Sequence, residues 1–300
     1  MNKMVKLNPN KLKECKFYEK LENSLVNCTL CPHNCIIKEN NTGICNTRIN
    51  IKGILYSLTY GKPCSISVDP IEKKPLFNFH SGKQILSIGT IGCNLKCKFC
   101  QNYDISQSKA IDFIEKIETV APEEVIKITK EKNLNLIAFT YNEPTVFYEY
   151  MIDIAKLAKQ NNIECVIVSN GFINPEPLKE LCKYISAANI DLKSFNKDFY
   201  KKICSAKLEP VLESLKILKE NNVHIEVTNL ILESKNNSLE EIEKIAIWIK
   251  ENLGEETILH LSRAFPMYKM QDIIPTPIST LYSAQEVCKR HLSNVFIGNV

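Results

Sequence analysis

The chain has 300 residues, of which 44% are hydrophobic and 24% are charged, and its formal net charge is +4. These values are ordinary for a globular protein, and the length allows one barrel-sized domain or one domain with an appendage. The small net charge argues against a nucleic-acid partner. No apolar run reaches the roughly 18 residues that a membrane-spanning helix needs.

The cysteine content is high, with 13 cysteines in two clusters, at 28–45 and 93–100, and a scattered remainder. Residues 1–7 are charged but have no apolar core, so we expect no signal peptide and a cytoplasmic location. Clustered cysteines in a reducing compartment usually bind metal or carry out redox chemistry, and an odd total argues against a disulfide framework. The scattered cysteines are expected to be buried small hydrophobes: Cys15, Cys165, Cys182, Cys204 and Cys288.

Residues 1–84 are predicted to form an N-terminal, cysteine-rich, metal-binding appendage, because they lack the regular alternation of strands and helices found later. Its four clustered cysteines follow the pattern C-x2-C-x3-C-x9-C: Cys28, Cys31, Cys35 and Cys45. This set suits a closed tetrahedral site, and both zinc and an auxiliary iron–sulfur cluster fit the spacing. Cys64 and His33 are weaker ligand candidates, for which a structural role is favoured.

Residues 85–300 alternate short β-branched runs with segments of helical periodicity. Strands are predicted at 84–90, 134–141, 164–169, 187–191, 224–232, 257–262 and 294–297, and helices at 121–132, 145–160, 175–184, 209–221, 238–251 and 279–291. This α/β alternation predicts a parallel sheet with right-handed crossovers, here a partial (β/α)6 barrel. Because active sites of barrels lie at the carboxyl ends of the strands, the residues after each strand are the candidates for the site.

A C-x3-C-x2-C triplet follows the first predicted strand: Cys93, Cys97 and Cys100, with Phe99 before the last cysteine. Four-iron clusters usually take four cysteines, so three thiolates would leave one iron open to a substrate or cofactor. Half of a zinc site is the alternative, but no second C-x2-C knuckle follows at a suitable distance. The iron–sulfur interpretation is favoured, and the three cysteines are the candidate catalytic metal ligands.

The triplet with Phe99 resembles the signature of the radical SAM superfamily, and the resemblance extends over nearly the whole chain. Further segments resemble the AmmeMemoRadiSam-system radical SAM proteins, relatives of the pyruvate formate-lyase activating enzymes: residues 69–76, 89–93, 100–102, 140–145, 189–193 and 297–300. The resemblance implies a TIM-barrel-like partial barrel, a 4Fe-4S cluster and S-adenosylmethionine. The reduced cluster would cleave the cofactor to methionine and a 5′-deoxyadenosyl radical, which abstracts hydrogen from a substrate.

The resemblance also implies a cofactor-binding turn after the second strand. Asn142, Glu143 and Pro144 stand where the superfamily carries a Gly-Gly-Glu-Pro-like motif that contacts the amino group of S-adenosylmethionine. A carboxylate suits an ammonium partner. Asn142 replaces the usual second glycine, and a plain strand-to-helix turn is the alternative interpretation.

The third and fourth strands end in further residues that the resemblance assigns to cofactor binding. Ser169 and Asn170 resemble a Thr-Asn-Gly motif, and Asp191 and Lys193 lie in a region that contacts the ribose or carboxylate of the cofactor in related enzymes. Residues i and i+2 of a strand point to the same face. A surface salt bridge of little energetic value is the alternative for the last two.

His260 and Arg263, at the end of the sixth strand, are candidate substrate-binding residues. Arginine suits a carboxylate or phosphate, whereas a lone histidine in an apolar strand is more often a structural core residue. Asn229, near the end of the fifth strand, is a weaker candidate.

The leading hypothesis is a radical SAM enzyme, oxidoreductase-like and anaerobic, with an unknown substrate that could be a protein. It needs a low-potential electron donor of the flavodoxin or ferredoxin type, and neither nucleic acid nor membrane. A narrower hypothesis is a glycyl-radical enzyme activase, but in activases with extra clusters the additional cysteines follow the triplet, whereas here they precede it. A non-catalytic iron–sulfur or zinc protein does not explain the motifs at the strand ends.

Overall fold

A computed structural model describes residues 7–300. The chain divides into two compact units, of which the first comprises Met1–Asp69, Ile85–Asn94 and Asn102–Cys165 and the second Pro70–Gln84, Leu95–Gln101 and Val166–Val300. Residues 1–6, on which most of the signal-peptide expectation rests, lie outside the described residues. Within 7–300, the helices are all too short or too polar to cross a bilayer.

Two small antiparallel sheets form the N-terminal part of the first unit. Their strands are Lys13–Glu14 (β1), Tyr18–Lys20 (β2), Val26–Cys28 (β3), Cys35–Ile37 (β4), Arg48–Ile51 (β5) and Ile54–Ser57 (β6). The strand orders are β1–β6–β5 and β2–β3–β4. The register of β3 and β4 places Cys28 opposite Cys35, so two of the predicted metal ligands are neighbours across a strand pair.

Three neighbouring strands continue the first unit in the order β7–β8–β9, with bounds Ser65–Pro70 (β7), Gln84–Gly89 (β8) and Leu136–Phe139 (β9). Strands β8 and β9 are parallel, with Leu86 opposite Ile137. Every residue of β9 is buried, as expected for a parallel strand that is covered on both faces. The helices of this unit are Tyr103–Ser106 (α1), Pro122–Glu131 (α2) and Tyr148–Gln160 (α3).

Five parallel strands in chain order organise the second unit: Glu164–Ser169 (β10), Ala187–Asp191 (β11), His224–Ile231 (β12), Ile258–Arg263 (β13) and Val295–Gly298 (β14). The helices are Pro175–Leu181 (α4), Lys197–Phe199 (α5), Glu209–Glu220 (α6), Leu239–Leu253 (α7) and Ile278–Cys288 (α8). Helix α7 buries Ile242, Ile245 and Ile249, whose spacing of three and four residues forms one apolar stripe.

The strands and helices predicted after residue 84 are present, with ends shifted by up to three residues. The helix predicted at 145–160 begins with a 3-10 turn, Pro144–Phe147, before α3. Sequence patterns do not predict the five-residue π-helix Tyr200–Cys204, which is followed by Ser205 with φ +55°. A single π turn has no hydrophobic period of its own, so pattern analysis does not detect it.

The two compact units do not follow the predicted boundary between residues 84 and 85. A small core of Ile49, Leu58, Ile91 and Ala110 joins the N-terminal segment to later parts of the first unit. Pro70–Gln84 belongs instead to the second unit, where the backbone N–H groups of Phe77 and Asn78 hydrogen bond to a buried carboxylate described below. The functional division into an appendage and a barrel stays a prediction.

Candidate cluster and cofactor site

The turn after β9 contains the predicted cofactor-binding residues of the first unit. Glu143 is fully buried, and its carboxylate accepts hydrogen bonds from the Thr145 backbone N–H (3.0 Å) and hydroxyl (2.7 Å). Pro144 occupies the first position of the following 3-10 helix, where no N–H is needed. Asn142 donates through Nδ2 to the Gly92 carbonyl, one residue before the triplet, and its buried Oδ1 has no hydrogen-bond partner within residues 7–300.

Tyr141 connects three of the segments that carry the family resemblance. Its hydroxyl donates to Asp69 Oδ2 (2.9 Å), and its carbonyl accepts a hydrogen bond from Asn102 Nδ2. A Cβ at Gly89 would lie 2.8 Å from the Tyr141 ring and 2.9 Å from the Thr140 carbonyl oxygen, so this position requires glycine. The sequence assigned no role to Asp69. In the structure its carboxylate accepts the hydrogen bond of the Tyr141 hydroxyl and holds that side chain in place.

Two contacts connect the residues around Cys93 to the N-terminal cysteine cluster. Gly92 has φ +98°, and a Cβ there would lie 2.3 Å from Thr47 Cγ2 and 2.8 Å from the Cys45 carbonyl oxygen. His33 Nε2 lies 2.8 Å from the Asn94 carbonyl oxygen. His33, the weaker ligand candidate, thus contacts the loop that carries Cys93. Cys93 is itself buried.

In the second unit, the loop Leu95–Gln101 carries Cys97, Phe99 and Cys100 and is held by backbone hydrogen bonds. The Lys96 N–H donates to the Cys204 carbonyl (2.9 Å) and the Lys98 N–H to the Ile203 carbonyl (3.0 Å). The Lys98 carbonyl accepts from the Lys269 N–H (2.9 Å). Cys97 is buried, and a hydrogen bond with the Cys204 side chain, together with burial, raises its pKa.

The end of β11 supplies charge beside this loop. Lys193 Nζ lies 2.8 Å from Asp191 Oδ2 and 5.9 Å from the centroid of the Phe99 ring. Burial by itself lowers the pKa of Lys193, but Asp191, Cys97 and Cys204 raise it well above its usual value. The Lys193 side chain is 13% exposed and that of Asp191 is 36% exposed, so the pair is half-buried, and its role toward a cofactor stays a prediction.

Ser169 and Asn170, at the end of β10, make local contacts. The Ser169 hydroxyl accepts from the Gly171 N–H (3.1 Å), and Asn170 Oδ1 accepts from the Phe172 N–H (2.8 Å). Gly171 has φ +67°, and a Cβ there would lie 3.0 Å from Ile190 Cγ2. These contacts shape the turn and leave the predicted role in cofactor binding untested.

His260 and Arg263, the two candidate substrate-binding residues, have different hydrogen-bond partners. His260 Nε2 lies 2.6 Å from Glu226 Oε2, and Phe77 packs edge-on against the His260 ring, with centroids 4.7 Å apart. Arg263 donates through Nε to the Thr276 carbonyl (2.8 Å). Both residues therefore have structural partners, and their role toward a substrate stays a prediction.

Glu226 is a residue that sequence analysis missed. Its carboxylate is fully buried and accepts hydrogen bonds from the backbone N–H groups of Phe77 (2.8 Å) and Asn78 (2.9 Å), with His224 and His260 as further partners. Burial raises its pKa, but the hydrogen bonds outweigh burial and lower the pKa to about 2. Glu226 is a charged residue within the apolar pattern of the strand predicted at 224–232, and this mismatch is the signal by which sequence analysis could have found it.

The four N-terminal cysteines line one pocket of the first unit, together with His33, Arg48 and Asn94. Arg48 Nη1 donates to Cys28 Sγ (3.4 Å), and the Thr47 hydroxyl donates to Cys45 Sγ (3.1 Å). Burial and the nearby Cys45, Cys28 and Cys35 raise the pKa of Cys31. Burial also raises the pKa of Cys35, so Cys31 and Cys35 form thiolates less readily unless a cation joins them.

Within the described residues, the His, Cys, Asp and Glu side chains form no group of three or more that could hold a metal ion as they stand. The donor chemistry nevertheless fits the expected groups. Thiols are the soft ligands that iron–sulfur clusters and zinc prefer. The Lys193 ammonium and the Cys204 thiol near Cys97 suit a negatively charged cluster.

Comparisons with known proteins bear on the family. The Radical SAM superfamily matches residues 87–249, more than half of the chain. An uncharacterized protein of Methanocaldococcus jannaschii is 45% identical over 290 residues, which cover 96% of this chain and 86% of that protein. The pyruvate formate-lyase-activating enzyme of Clostridium pasteurianum is 25% identical over 173 residues, 56% of this chain and 70% of that enzyme. Streptococcus suis SuiB bound to S-adenosylmethionine has a TM-score of 0.54 at 14% identity over 69% of this chain and 47% of that one, which shows the fold alone.

The fold and the family match define an enzyme that uses an iron–sulfur cluster and S-adenosylmethionine. The chain belongs to the radical SAM superfamily. The predicted α/β partial barrel, the enzyme class and the two cofactors are confirmed. In this family the reduced cluster and S-adenosylmethionine together supply a 5′-deoxyadenosyl radical that removes a hydrogen atom from the substrate.

Proposed function

We propose that Cys93, Cys97 and Cys100 hold the four-iron cluster of a radical SAM enzyme whose substrate is a protein. The observation that carries this assignment is the loop Leu95–Gln101, which is fixed by backbone hydrogen bonds beside the partly buried Lys193–Asp191 pair. A held cysteine loop reduces the reorganisation needed when a cluster is loaded. The relatives named as activating enzymes support a protein substrate.

The chain's own residues would bind and orient S-adenosylmethionine. Glu143, a fully buried carboxylate, suits the cofactor's ammonium group, and the unpartnered Asn142 Oδ1 offers an acceptor to the same group. Lys193 and Asp191 offer a cation and an anion to its carboxylate and ribose. Phe99, Ser169 and Asn170 complete the proposed cofactor-binding set.

The direct test is anaerobic reconstitution with iron and sulfide, reduction, addition of S-adenosylmethionine and measurement of 5′-deoxyadenosine. Cys93→Ala, Cys97→Ala and Cys100→Ala should each lose the cluster and at least a hundredfold of the product, whereas Cys182→Ala, which removes a thiol outside both cysteine clusters of the sequence, should retain both. A fully loaded wild-type protein that forms no 5′-deoxyadenosine, and whose EPR spectrum does not respond to the cofactor, would refute the assignment.

The cofactor site is tested by Glu143→Gln. This change removes the negative charge but keeps the size, so the cluster should load normally while the affinity for S-adenosylmethionine falls about tenfold, since a charged hydrogen bond contributes about 1.5–3 kcal/mol. Binding is measured by equilibrium dialysis of the loaded protein. Glu213→Gln, at an exposed position of α6, is the matched control, and equal affinity in the two variants would contradict the role of Glu143.

A second metal site is proposed at Cys28, Cys31, Cys35 and Cys45. Its support is the shared pocket and the donors that Arg48 and Thr47 direct at two of the sulfurs. Metal analysis of the Cys93→Ala/Cys97→Ala/Cys100→Ala variant decides the metal: zinc alone indicates a structural ion, and iron with sulfide an auxiliary cluster. A protein that retains neither metal would contradict the second site.

Activation of a glycyl-radical enzyme is the second candidate function. It is supported by similarity to the Clostridium pasteurianum activating enzyme, and weakened by cysteines that precede rather than follow the triplet. Incubation of the reduced, loaded protein with pyruvate formate-lyase as a probe should then give the EPR doublet of a glycyl radical. Formation of 5′-deoxyadenosine without that doublet would exclude pyruvate formate-lyase as the substrate.

The reaction also needs an electron. We propose a low-potential donor of the flavodoxin or ferredoxin type and an oxygen-free cytoplasm. A reduced flavodoxin that replaces the chemical reductant in the 5′-deoxyadenosine assay would support this, and failure of both donor types would argue against it.

A further inference from the structure

A cavity of about 600 Å³ lies in the first unit and has no role in the function proposed above. Its described lining comes from residues around β1, from the end of β6 and the turn after it, and from the segment between α1 and α2. None of the cysteines and none of the proposed cofactor-binding residues belongs to this described lining. The volume falls within the range of about 300–1,000 Å³ that is typical of small-molecule sites.

The turn Thr59–Lys62 forms one wall of the cavity and is fixed by backbone contacts. The Lys62 N–H donates to the Thr59 carbonyl (3.1 Å), and the Val120 N–H donates to the Gly61 carbonyl (2.9 Å). Gly61 has φ +67°, and a Cβ there would lie 3.2 Å from Thr119 Cγ2. Because the glycine is held against the segment before α2, the side chains on either side of it line a wall that exists before any ligand binds.

The charges at this wall do not cancel. Asp153 Oδ2 accepts hydrogen bonds from the Tyr60 hydroxyl (2.8 Å) and from Lys13 Nζ (2.8 Å), so the Lys13 charge is neutralised. Lys62 is half-buried, and its Nζ donates to the Ile117 carbonyl (2.8 Å). Among residues 7–300, no carboxylate forms an ion pair with this ammonium, which retains N–H groups for an anionic partner.

One side of the lining is apolar. The apolar side chains there are Leu7, Leu12, Leu58 and Ile114. Leu58 is buried in the small core described above, and Leu7 and Ile114 pack against that core, so the apolar side is well supported. Lys11 and Glu115, both exposed, contribute one charge of each sign and leave no net charge. A ligand that matches the cavity therefore has an apolar body and one anionic group.

We propose that this cavity binds a small amphiphilic anion, a carboxylate or a phosphate monoester with an apolar body of several carbon atoms, and that Lys62 pairs with the anionic group. The apolar side chains contact the body, and the ion pair fixes its orientation, because a partly desolvated ammonium favours an anion over a neutral or cationic group. The inference requires neither the cluster nor S-adenosylmethionine, so it stands or fails separately from the proposed function.

The test is isothermal titration calorimetry of the 300-residue chain with four probes. Hexanoate and hexyl phosphate share an apolar body and differ in the anionic group, so the tighter of the two identifies the ligand class. Hexylamine reverses the charge, and inorganic phosphate lacks the body. Hexanoate or hexyl phosphate should bind one site per chain, about tenfold or more tighter than the last two probes. No saturable binding of either anion, or equal affinity for hexylamine or inorganic phosphate, would overturn the proposal.

Variants test the assigned residue. Lys62→Met removes the ammonium but keeps an unbranched side chain, and should weaken binding of the tighter anion about tenfold or more, whereas Lys62→Arg keeps the charge and should retain most of the affinity. Lys207→Met, at an exposed position of the second unit, is the matched control and should bind as the wild type does. Ile114→Trp fills the cavity and leaves Lys62 in place, so it should abolish binding and tests the site if Lys62→Met impairs folding. Wild-type affinity in both Lys62→Met and Ile114→Trp would overturn the assignment.

Discussion

Gly92, one residue before the triplet, has no room for a side chain. Its φ of +98° lies in the region that favours glycine, and the Thr47 methyl and the Cys45 carbonyl occupy the space where a Cβ would stand. The Asn142 side chain donates to its carbonyl. The residue before the predicted cluster ligands is thus fixed by the N-terminal segment on one side and by the predicted cofactor-binding turn on the other.

Gly92→Ala should therefore lower stability and cluster loading together. We expect a loss of about 3 kcal/mol or more in the free energy of unfolding, from backbone strain and a contact with a backbone oxygen that cannot move away freely. Gly82→Ala is the control for strain alone, because Gly82 has φ +79° but nothing within 4 Å of its Cβ position. Urea unfolding of both apoproteins checks this, and equal losses would contradict the steric argument.

Glu226 makes the stability of the protein sensitive to acid. Its pKa is about 2 in the folded protein, against an ordinary value of 4.5. Because the folded-state pKa is depressed, the stabilisation is fully present above about pH 4.5 and is lost as the pH falls toward 2. The shift corresponds to about 3 kcal/mol at neutral pH.

Glu226→Gln should lose about 3 kcal/mol at pH 7 and show a flatter stability profile between pH 5 and pH 3, because the variant has no carboxylate to protonate. Urea unfolding at several pH values measures this. Glu213→Gln, at an exposed position, should keep the wild-type profile. A wild-type slope in Glu226→Gln would show that other groups cause the acid sensitivity.

At the scale of elements, a buried ion pair joins the small N-terminal sheet to a helix of the first unit. Arg48, the first residue of β5, donates to Glu149 of α3 and to the Lys16 carbonyl (3.0 Å). Both charged side chains are 1% exposed. The same guanidinium contacts Cys28, so the element that supports the N-terminal cysteines depends on this pair.

Arg48→Met should destabilise the protein by about 3–5 kcal/mol, because it leaves the Glu149 carboxylate buried without a counter-charge. Arg48→Met/Glu149→Met should recover much of the loss, since apolar pairs of similar volume often replace buried ion pairs at little cost. A double-mutant cycle in urea measures the coupling. A double variant that is as unstable as the sum of the single variants would show that the pair acts through its other contacts.

At the scale of the whole molecule, the sequence contains two clusters of cysteines, and the contacts of His33 with Asn94 and of Gly92 with Thr47 connect the N-terminal cluster to residues beside Cys93. These four contacting residues and Cys93 belong to the first unit. A metal that orders the N-terminal cluster would therefore also order the residues around Cys93, the first of the predicted cluster ligands.

Removal of the metal proposed at the N-terminal cysteines should reduce loading of the cluster proposed at Cys93, Cys97 and Cys100. Cys31→Ala is expected to lower the thermal midpoint and to reduce by several-fold the iron bound through the triplet, because the loop around Cys93 loses support. Iron and sulfide analysis after reconstitution measures this. Cys64→Ala, which removes a thiol outside the four-cysteine pocket, is the control, and full loading in Cys31→Ala would disprove the connection.

The sequence by itself determined the fold class, the order of strands and helices after residue 84, and the radical SAM family. The fold class and the element order follow from local information, namely the hydrophobic period and the proline and acidic residues at helix starts, whereas the family follows from the resemblance of short motifs to known sequences. The triplet and the Tyr141–Thr145 turn are contiguous motifs, so they could be found without knowing any long-range contact.

Only the tertiary structure decided which distant residues act together. The residues that interact lie far apart in sequence, and no spacing rule relates them. Such pairs are Cys97 and Cys204, Phe77 and Glu226, Tyr141 and Asp69, and Asn94 and His33. A buried hydrogen bond needs a specific partner in space, which is set by how strands and turns pack. For that reason the metal-ligand candidates were visible in the sequence, whereas the residues that position them were not.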